Sequence, residues 1–449
     1  MAAEQNAVKS PAPMIEYLHL KNVGPAAELT MDFAPRLNLI TGDNGLGKSF
    51  LLDVAWWALT RKWPHDLNPL LTSGYAARPT DVKKPASIGF RVESKVKSIA
   101  YESTYVPRDE AWSGKSGRPW NPGLVIYAHA DGGFSVWDPA RNYWKTKGNV
   151  DVQERVPGYV FSAKEVWDGL MIEVGGKRTV VCNGLLLDWA SWVLENGDNA
   201  EIMSELLGGL APEGESLAAG PLVRLSVNDA RNIPSIRTGY ATEVAILHAS
   251  SGVRRVVGLA YMLLWSWNEH ALAARLLGEE PASQVVMLFD EIESHLHPRW
   301  QRSILNSVLE IAKQLHTAAT VQLIAATHSP LIMASAEPMF DEKKDAWFDL
   351  DLDRATGKVA LEKRPFVRRG TAGKWLTSQA FDLPSEGRSL AAESAIAAAE
   401  RILERHREKS PLEPAEVDAA DSALRAVLPE IDRFWVRWSA AVDELKGRA

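Results

Sequence analysis

The sequence predicts an α/β fold: a mixed central sheet, an antiparallel β lobe, and a helical C-terminal region. Three observations carry that reading. "RLNLITG" is a strand that runs into a glycine-rich loop and then into "KSFLLDVAWWALT", where Leu51, Leu52, Val54, Ala55, Ala58 and Leu59 repeat with helical spacing. "SQVVMLF" and "TVQLIAA" are nearly continuous apolar runs of strand length, the pattern of parallel strands covered on both faces. From about Gly370 onward the chain is mostly helical in pattern, with "SLAAESAIAAAERILERH" and "EIDRFWVRWSAAVDEL".

Taken in order, residues 1–13 read as a short disordered leader without the apolar stretch of a secretory signal. "IEYLHLKNVG" and "ELTMDF" follow as strands. Between about 62 and 240, alternating runs such as "ASIGFRVESKV", "GLVIYAHA" and "GFSVWD" predict an inserted lobe of antiparallel strands and helix, with "ADGG" as a hairpin turn and helix over 183–209. The stretch Val253 to Leu277 is helical and apolar on most faces, so it is expected to be buried. Pro298 suits the first position of a helix running to about His316. "AWFDLDLDRATGKVALEKR" predicts a surface hairpin. The expected domains are therefore 14–369, containing the inserted lobe, and a helical region 370–449.

Composition narrows the classes. The 449 residues allow two or three domains, and 46% apolar with 24% charged residues is ordinary for a globular chain. No apolar run reaches the ~18–20 residues that cross a bilayer, so no membrane association is expected. One cysteine, Cys182, rules out an internal disulfide framework and a Cys-rich zinc site, and fits a reducing cytoplasm. A formal charge of −7 argues against a surface coated in basic residues but leaves a local DNA-binding groove open. The 17 tryptophans are read as core or interface packing.

"GDNGLGKS", between a strand and a helix, matches the phosphate-binding loop G-x-x-x-x-G-K-[ST]. Its glycines let backbone N–H groups point inward at phosphates, and the helix N-terminus adds partial positive charge. Gly42, Asp43, Asn44, Gly45, Leu46, Gly47, Lys48, Ser49 and Phe50 are thus expected around ATP, with Lys48 reaching the β/γ-phosphates and Ser49 on Mg²⁺. Downstream, "VVMLFDEIESHLHPRW" ends an apolar strand on two acids. Asp290 is placed to hold Mg²⁺ and Glu291 to orient and deprotonate the attacking water. "ATHSP" ends a second buried strand and presents His328 at the carboxyl edge of a parallel sheet, within reach of a γ-phosphate. "HASSGVRRVVGLA" puts Ser250, Ser251 and Gly252 at the N-terminus of the long helix, a second anion site suited to a partner subunit's nucleotide. His295 and His297 are not read as a zinc pair, because no further ligand set accompanies them.

Phosphate loop, signature, Asp-Glu pair and histidine occur here in the order of the ABC-type ATPase superfamily, which the sequence resembles over roughly residues 14–365. "ASSGV" stands in the signature position with Ser251 in place of its central glycine, and "DEIESHLHP" is similar to the RecF/OLD-like, AAA-type branch. His297 occupies the slot of the transporter D-loop aspartate, and Gln153 is the candidate for the family's glutamine loop. The resemblance implies a P-loop NTPase of ABC/RecF type that uses ATP and Mg²⁺. It also implies a homodimer, or higher even oligomer, with nucleotide sandwiched between one subunit's phosphate loop and the other's signature. "YAHADGGFSVWDPARN", "FSAKEVWDGL" and "EHALAA" look like stretches of stand-alone bacterial ATPases found in anti-phage defence, Septu-type systems among them, where a nuclease subunit acts with the ATPase. The alternatives are a RecF-like DNA-repair ATPase and a self-contained OLD-like nuclease. The latter would need a carboxylate cluster, for which Asp349, Asp351 and Asp353 of "DLDLD" are the candidates.

Overall fold

A computed structural model of the chain describes residues 13–447 apart from 95–96, 116–119, 149, 154, 156–157, 175, 240 and 316–318. The leader expected over 1–13 lies outside the described residues except for Pro13, and so does His316, the expected end of a helix. The chain divides into two units, Met1–Arg368 and Arg369–Ala449.

The first unit is built on an eight-stranded mixed sheet. Its spatial order is Gly158–Phe161, Phe134–Trp137, Leu124–Ala128, Gln284–Phe289, Thr320–Ala326, Leu37–Gly42, Asp345–Asp353, Lys358–Arg364. The five inner strands run parallel, and the returning strands at both edges are antiparallel. Successive residues of a strand face opposite sides. Ile40, Tyr127, Leu288, Ile324 and Phe348 therefore join one core, while Ala128 and Phe289 turn the other way to meet Val256, Leu259 and Ile304. A second, antiparallel sheet has the order Glu28–Asp32, Ile15–Lys21, Ser87–Glu93, Ser98–Val106, Ala111–Trp112.

The helix Lys48–Thr60 lies between the two sheets and packs against strands of both. That position explains why apolar residues fill most of its faces instead of one stripe, with Trp56 and Trp57 both buried. One buried amide joins the sheets and a second holds the connection into the loop strand. Gln322, in the middle of the mixed sheet, accepts from Ile15 N at 2.9 Å and donates to the carbonyls of Ile15 and Ala34 at 3.0 and 2.9 Å. Asn38 accepts from Ala34 N at 2.7 Å and donates to its carbonyl at 2.9 Å.

The segment expected as an inserted lobe, about 62–240, contributes strands to both sheets and also forms small antiparallel sheets of its own. Ser87–Glu93 pairs with the N-terminal strand, whereas "LVIYA" (Leu124–Ala128) pairs in parallel with Gln284–Phe289 at the centre of the molecule. Its partner lies far along the chain, and local alternation carries no record of it. The helix expected over 183–209 is two, Leu185–Glu195 and Asp198–Leu210, separated where Asn196 turns left-handed (φ 51°). The helix from Pro298 is likewise two, Pro298–Gln301 and Ile304–Leu315.

"DLDLD" reaches the surface only at its end, with Asp349 buried, Asp351 half-buried and Asp353 exposed. Its strand is an inner one, hydrogen-bonded to Leu37–Gly42 on one side and Lys358–Arg364 on the other. Asp349 is buried, accepts from Thr41 Oγ1 at 2.7 Å and faces Arg364, while Asp353 accepts from Thr356 in the turn. Among the described residues no group of three or more His, Cys, Asp or Glu side chains is arranged to hold a metal ion.

The second unit has three principal helices, Leu390–Arg407, Pro414–Val427 and Phe434–Gly447. Phe434 and Trp438 of "RFWVRW" fill its core with Ile396, Ala399, Leu403, Val417 and Leu424. Trp438 Nε1 donates to Asp421 at 2.9 Å. No helix of the described residues is long and apolar enough to cross a membrane.

Candidate nucleotide site

The strand Leu37–Gly42 delivers the chain to the glycine loop at the carboxyl edge of the parallel strands. Gly42 has φ 136°, and a Cβ there would stand 2.3 Å from the Leu350 carbonyl oxygen, so no other residue fits. Gly47, which precedes the helix with φ 98°, is covered by Pro25, and the Phe50 ring lies against Gly24. The Gly24–Pro25 turn therefore braces the loop from outside, a contribution that the sequence reading missed. Gly45 is also left-handed and has open space where a Cβ would go. Asp43, Asn44 and Gly45 are exposed, Leu46 is buried, and Ser49 is half-buried at the first turn of the helix.

Lys48 Nζ donates to the carbonyls of Gly42 and Asp43, both at 2.8 Å, across the mouth of the loop. Burial lowers its pKa, against the upward pull of Asp290, Glu291, Asp43 and Glu293. The loop lysine and the acids of the strand end therefore share one site, although some 240 residues separate them in sequence.

Asp290 follows its strand directly and is tied to the neighbouring strand by its N–H to Ala128 O at 2.9 Å. Its carboxylate is 3% exposed, and Oδ1 has no hydrogen-bond partner. Burial pushes its pKa up to about 6, with Glu291 adding to the rise and Ser49, Lys48 and Arg255 opposing it. An orphaned buried carboxylate oxygen beside a serine hydroxyl is a hard oxygen pair that fits Mg²⁺, whose remaining positions go to phosphate oxygens and water. Glu291 sits in left-handed backbone (φ 49°), as does His295 (φ 63°). For a non-glycine residue that conformation costs on the order of 1–3 kcal/mol and is held by its surroundings.

His328 follows the strand Thr320–Ala326, which lies between the acid strand and the loop strand. Its imidazole pKa is lowered by burial and by Lys48, and raised by Glu291 and Asp43, so it faces the same three groups. Glu293, to which the sequence reading assigned no role, connects the two strand ends. Its carboxylate accepts from the His328 backbone N–H and, at 2.7 Å, from Thr327 Oγ1. Burial raises its pKa. His297 caps the helix Pro298–Gln301, its Nδ1 accepting from Arg299 N at 3.3 Å.

Ser250 N-caps the long helix Ser251–Leu277, accepting from Val253 N at 3.4 Å. Ser251 is exposed, and a Cβ on Gly252 would come within 2.8 Å of the His295 carbonyl oxygen, so the helix start is seated on the segment after Glu291. Arg255, one turn in, donates from Nη2 to the His129 carbonyl at 2.8 Å and senses Asp131, Asp290 and Glu291. Behind it runs a buried polar chain. His129 bonds Ser135 Oγ at 2.8 Å and Ser73 Oγ at 3.1 Å, and burial pushes its pKa down to about 3. Tyr127 OH donates to Asp53 Oδ1 at 2.9 Å, and burial lifts Asp53 to about 7. These residues come from "YAHA" and the loop helix, where a polar residue in an apolar run was the only available signal. Gln153, the candidate for the glutamine loop, ends a two-stranded ribbon and donates to Asn142 at 3.2 Å.

Comparison with known proteins gives matches to parts of the chain. A family model described as "AAA domain, putative AbiEii toxin, Type IV TA system" matches residues 218–334, and one described as "AAA domain" matches 17–110. The "Retron Vc95 probable ATPase" of Vibrio cholerae serotype O1 biovar El Tor is 28% identical over 119 residues, which is 25% of this chain. The match spans only 20% of that relative's length. Solved structures include an Smc head bound to the C-winged helix domain of ScpA (TM-score 0.40, 14% identity, 78% of this chain and 98% of that chain). The recombination mediator protein RecF–ATPrS of the RecFOR pathway aligns with a TM-score of 0.37 and 12% identity, over 79% of this chain and 100% of that one. By these partial matches the chain is similar to AAA-type ATPases. Its two AAA matches take in the phosphate loop and, separately, the signature helix with Asp290, Glu291 and His328.

Proposed function

We propose that the protein is an ATP-driven switch. ATP binds with Mg²⁺ at the loop, a second copy of the chain closes over it with its Ser250–Gly252 segment, and hydrolysis reopens the pair. The observation that carries this reading is the convergence of Lys48, Asp290, Glu291 and His328 at one sheet edge, from three separate strand ends. Ser49 and Asp290 would hold Mg²⁺, which neutralises phosphate charge when bound. Lys48 binds the phosphates, Glu291 takes the proton of the attacking water, and His328 orients the terminal phosphate. The Ser251 hydroxyl and the free N–H groups of its helix start suit the partner's nucleotide.

The switch controls a partner effector, a nuclease, in bacterial anti-phage defence in the cytoplasm. The partial similarity to a retron ATPase supports that setting. The alternative in which this chain is itself the nuclease is disfavoured by Asp349, which is engaged with Thr41 and Arg364. Glu291→Gln tests the mechanism: ATP hydrolysis should fall by about 10²–10⁴-fold. Light scattering with ATP should then show a long-lived dimer. Unchanged hydrolysis in that variant refutes the assignment.

A further inference from the structure

We propose that Glu293 is a positioning residue, through which the state of the segment Ser294–His297 reaches His328. The inference rests on the switch reading above and names the device that would regulate its site. Both oxygens of the Glu293 carboxylate are engaged, one by the His328 backbone N–H and the other by Thr327 Oγ1. Thr327 Oγ1 accepts in turn from Ser329 N at 3.0 Å, and Thr327 N is fixed to Ile40 O at 3.0 Å on the loop strand. The backbone around His328 is therefore held by the loop strand on one side and by Glu293 on the other.

The opposite end of Glu293 sits in the segment that touches the signature helix. Its carbonyl accepts from Leu296 N at 2.9 Å, between the left-handed residues Glu291 and His295. The His295 carbonyl abuts Gly252. A second strap runs in parallel: Gln301 donates to Leu296 O at 2.9 Å and accepts from Ser329 Oγ at 2.7 Å. A displacement of Ser294–His297, such as closure of a second copy would impose, is thus passed to both residues flanking the imidazole. Hydrogen bonds removed from water are strong enough to transmit it.

The test compares Glu293→Ala and Glu293→Gln with wild type, alone and combined with His328→Ala. In Glu293→Ala, kcat for ATP should fall about tenfold to a hundredfold while affinity for a non-hydrolysable ATP analogue changes by less than about threefold. Glu293→Gln should recover most of that loss, because its amide oxygen still accepts. Amide hydrogen exchange over 325–331, measured without nucleotide, should rise in Glu293→Ala and stay low in Glu293→Gln. In the His328→Ala background Glu293→Ala should cost less than about twofold, since the two act through one group. Multiplicative losses, or unchanged exchange, overturn the proposal. If wild type hydrolyses no ATP the switch reading fails, and the exchange measurement then decides the strap by itself.

Discussion

Asp53 offers a quantitative test of the buried network beneath the phosphate loop. Its carboxyl is 8% exposed and lies inside the helix that both sheets cover. Burial is the main reason that its pKa stands at about 7 instead of 3.8; Asp290 adds to the rise, while Tyr127 and the Gly74 N–H oppose it. The folded protein therefore keeps this proton in a range where the unfolded chain has lost it. The associated stability is fully present below about pH 4 and falls as pH rises to and through about 7. At ~1.4 kcal/mol per pH unit the full gap amounts to about 4 kcal/mol, and water penetration around an ionised Asp53 reduces that to about 2. Asp53→Asn removes the penalty, keeps an oxygen for Tyr127, and loses the bond from Gly74, worth about 1 kcal/mol at every pH. The difference between variant and wild type should therefore move by about 2–4 kcal/mol in favour of Asp53→Asn between pH 4 and 8. His129, held near 3, imposes the opposite slope between about 3 and 6.5 in both proteins, so the comparison matters more than either curve. Urea titrations read by hydrogen exchange on peptides from Lys48–Thr60 would score only the unit that carries Asp53. A difference that stays constant with pH would refute the reasoning.

Two further expectations follow from packing. Gly42→Ala must place a methyl 2.3 Å from the Leu350 carbonyl oxygen at φ 136°, so it should cost roughly 3 kcal/mol or more and weaken ATP-analogue binding at least about tenfold; calorimetry on the purified variant checks both. Trp438→Ala empties the core of the C-terminal unit and should cost about 3–5 kcal/mol there, opening 390–447 to limited proteolysis while nucleotide binding at the loop persists.

The candidate nucleotide site is legible in the sequence because its residues sit where strong local patterns end. Apolar runs stop at Gly42, at Asp290 and just before His328, and a helix starts at Ser251, so each functional group stands at a boundary that periodicity marks. Pairing across the chain was not legible. "LVIYA" shows strand character but nothing that assigns it to the mixed sheet beside Gln284–Phe289 rather than to an antiparallel lobe. "DLDLD" alternates like a half-exposed hairpin, yet strands on both sides bury Asp349 and give its charge to Arg364. Arg255, Tyr127 and His129 gain their roles from neighbours brought together only by the fold. Glu293 is an acid two residues beyond Glu291 with no role legible in the sequence, because the groups that donate to its carboxylate follow a different strand, Thr320–Ala326.

The setting of the loop helix also limits where motion can occur. With 11 of its 13 residues buried between two sheets, the loop helix forms the firmly packed jaw of the site. The opposing jaw, from Glu291 to His297 with His328 and the start of Ser251–Leu277, contains the left-handed non-glycine residues Glu291 and His295. In the switch proposed above, a partner that reads the nucleotide state would engage that second jaw, where the exposed His295, His297 and Ser251 lie.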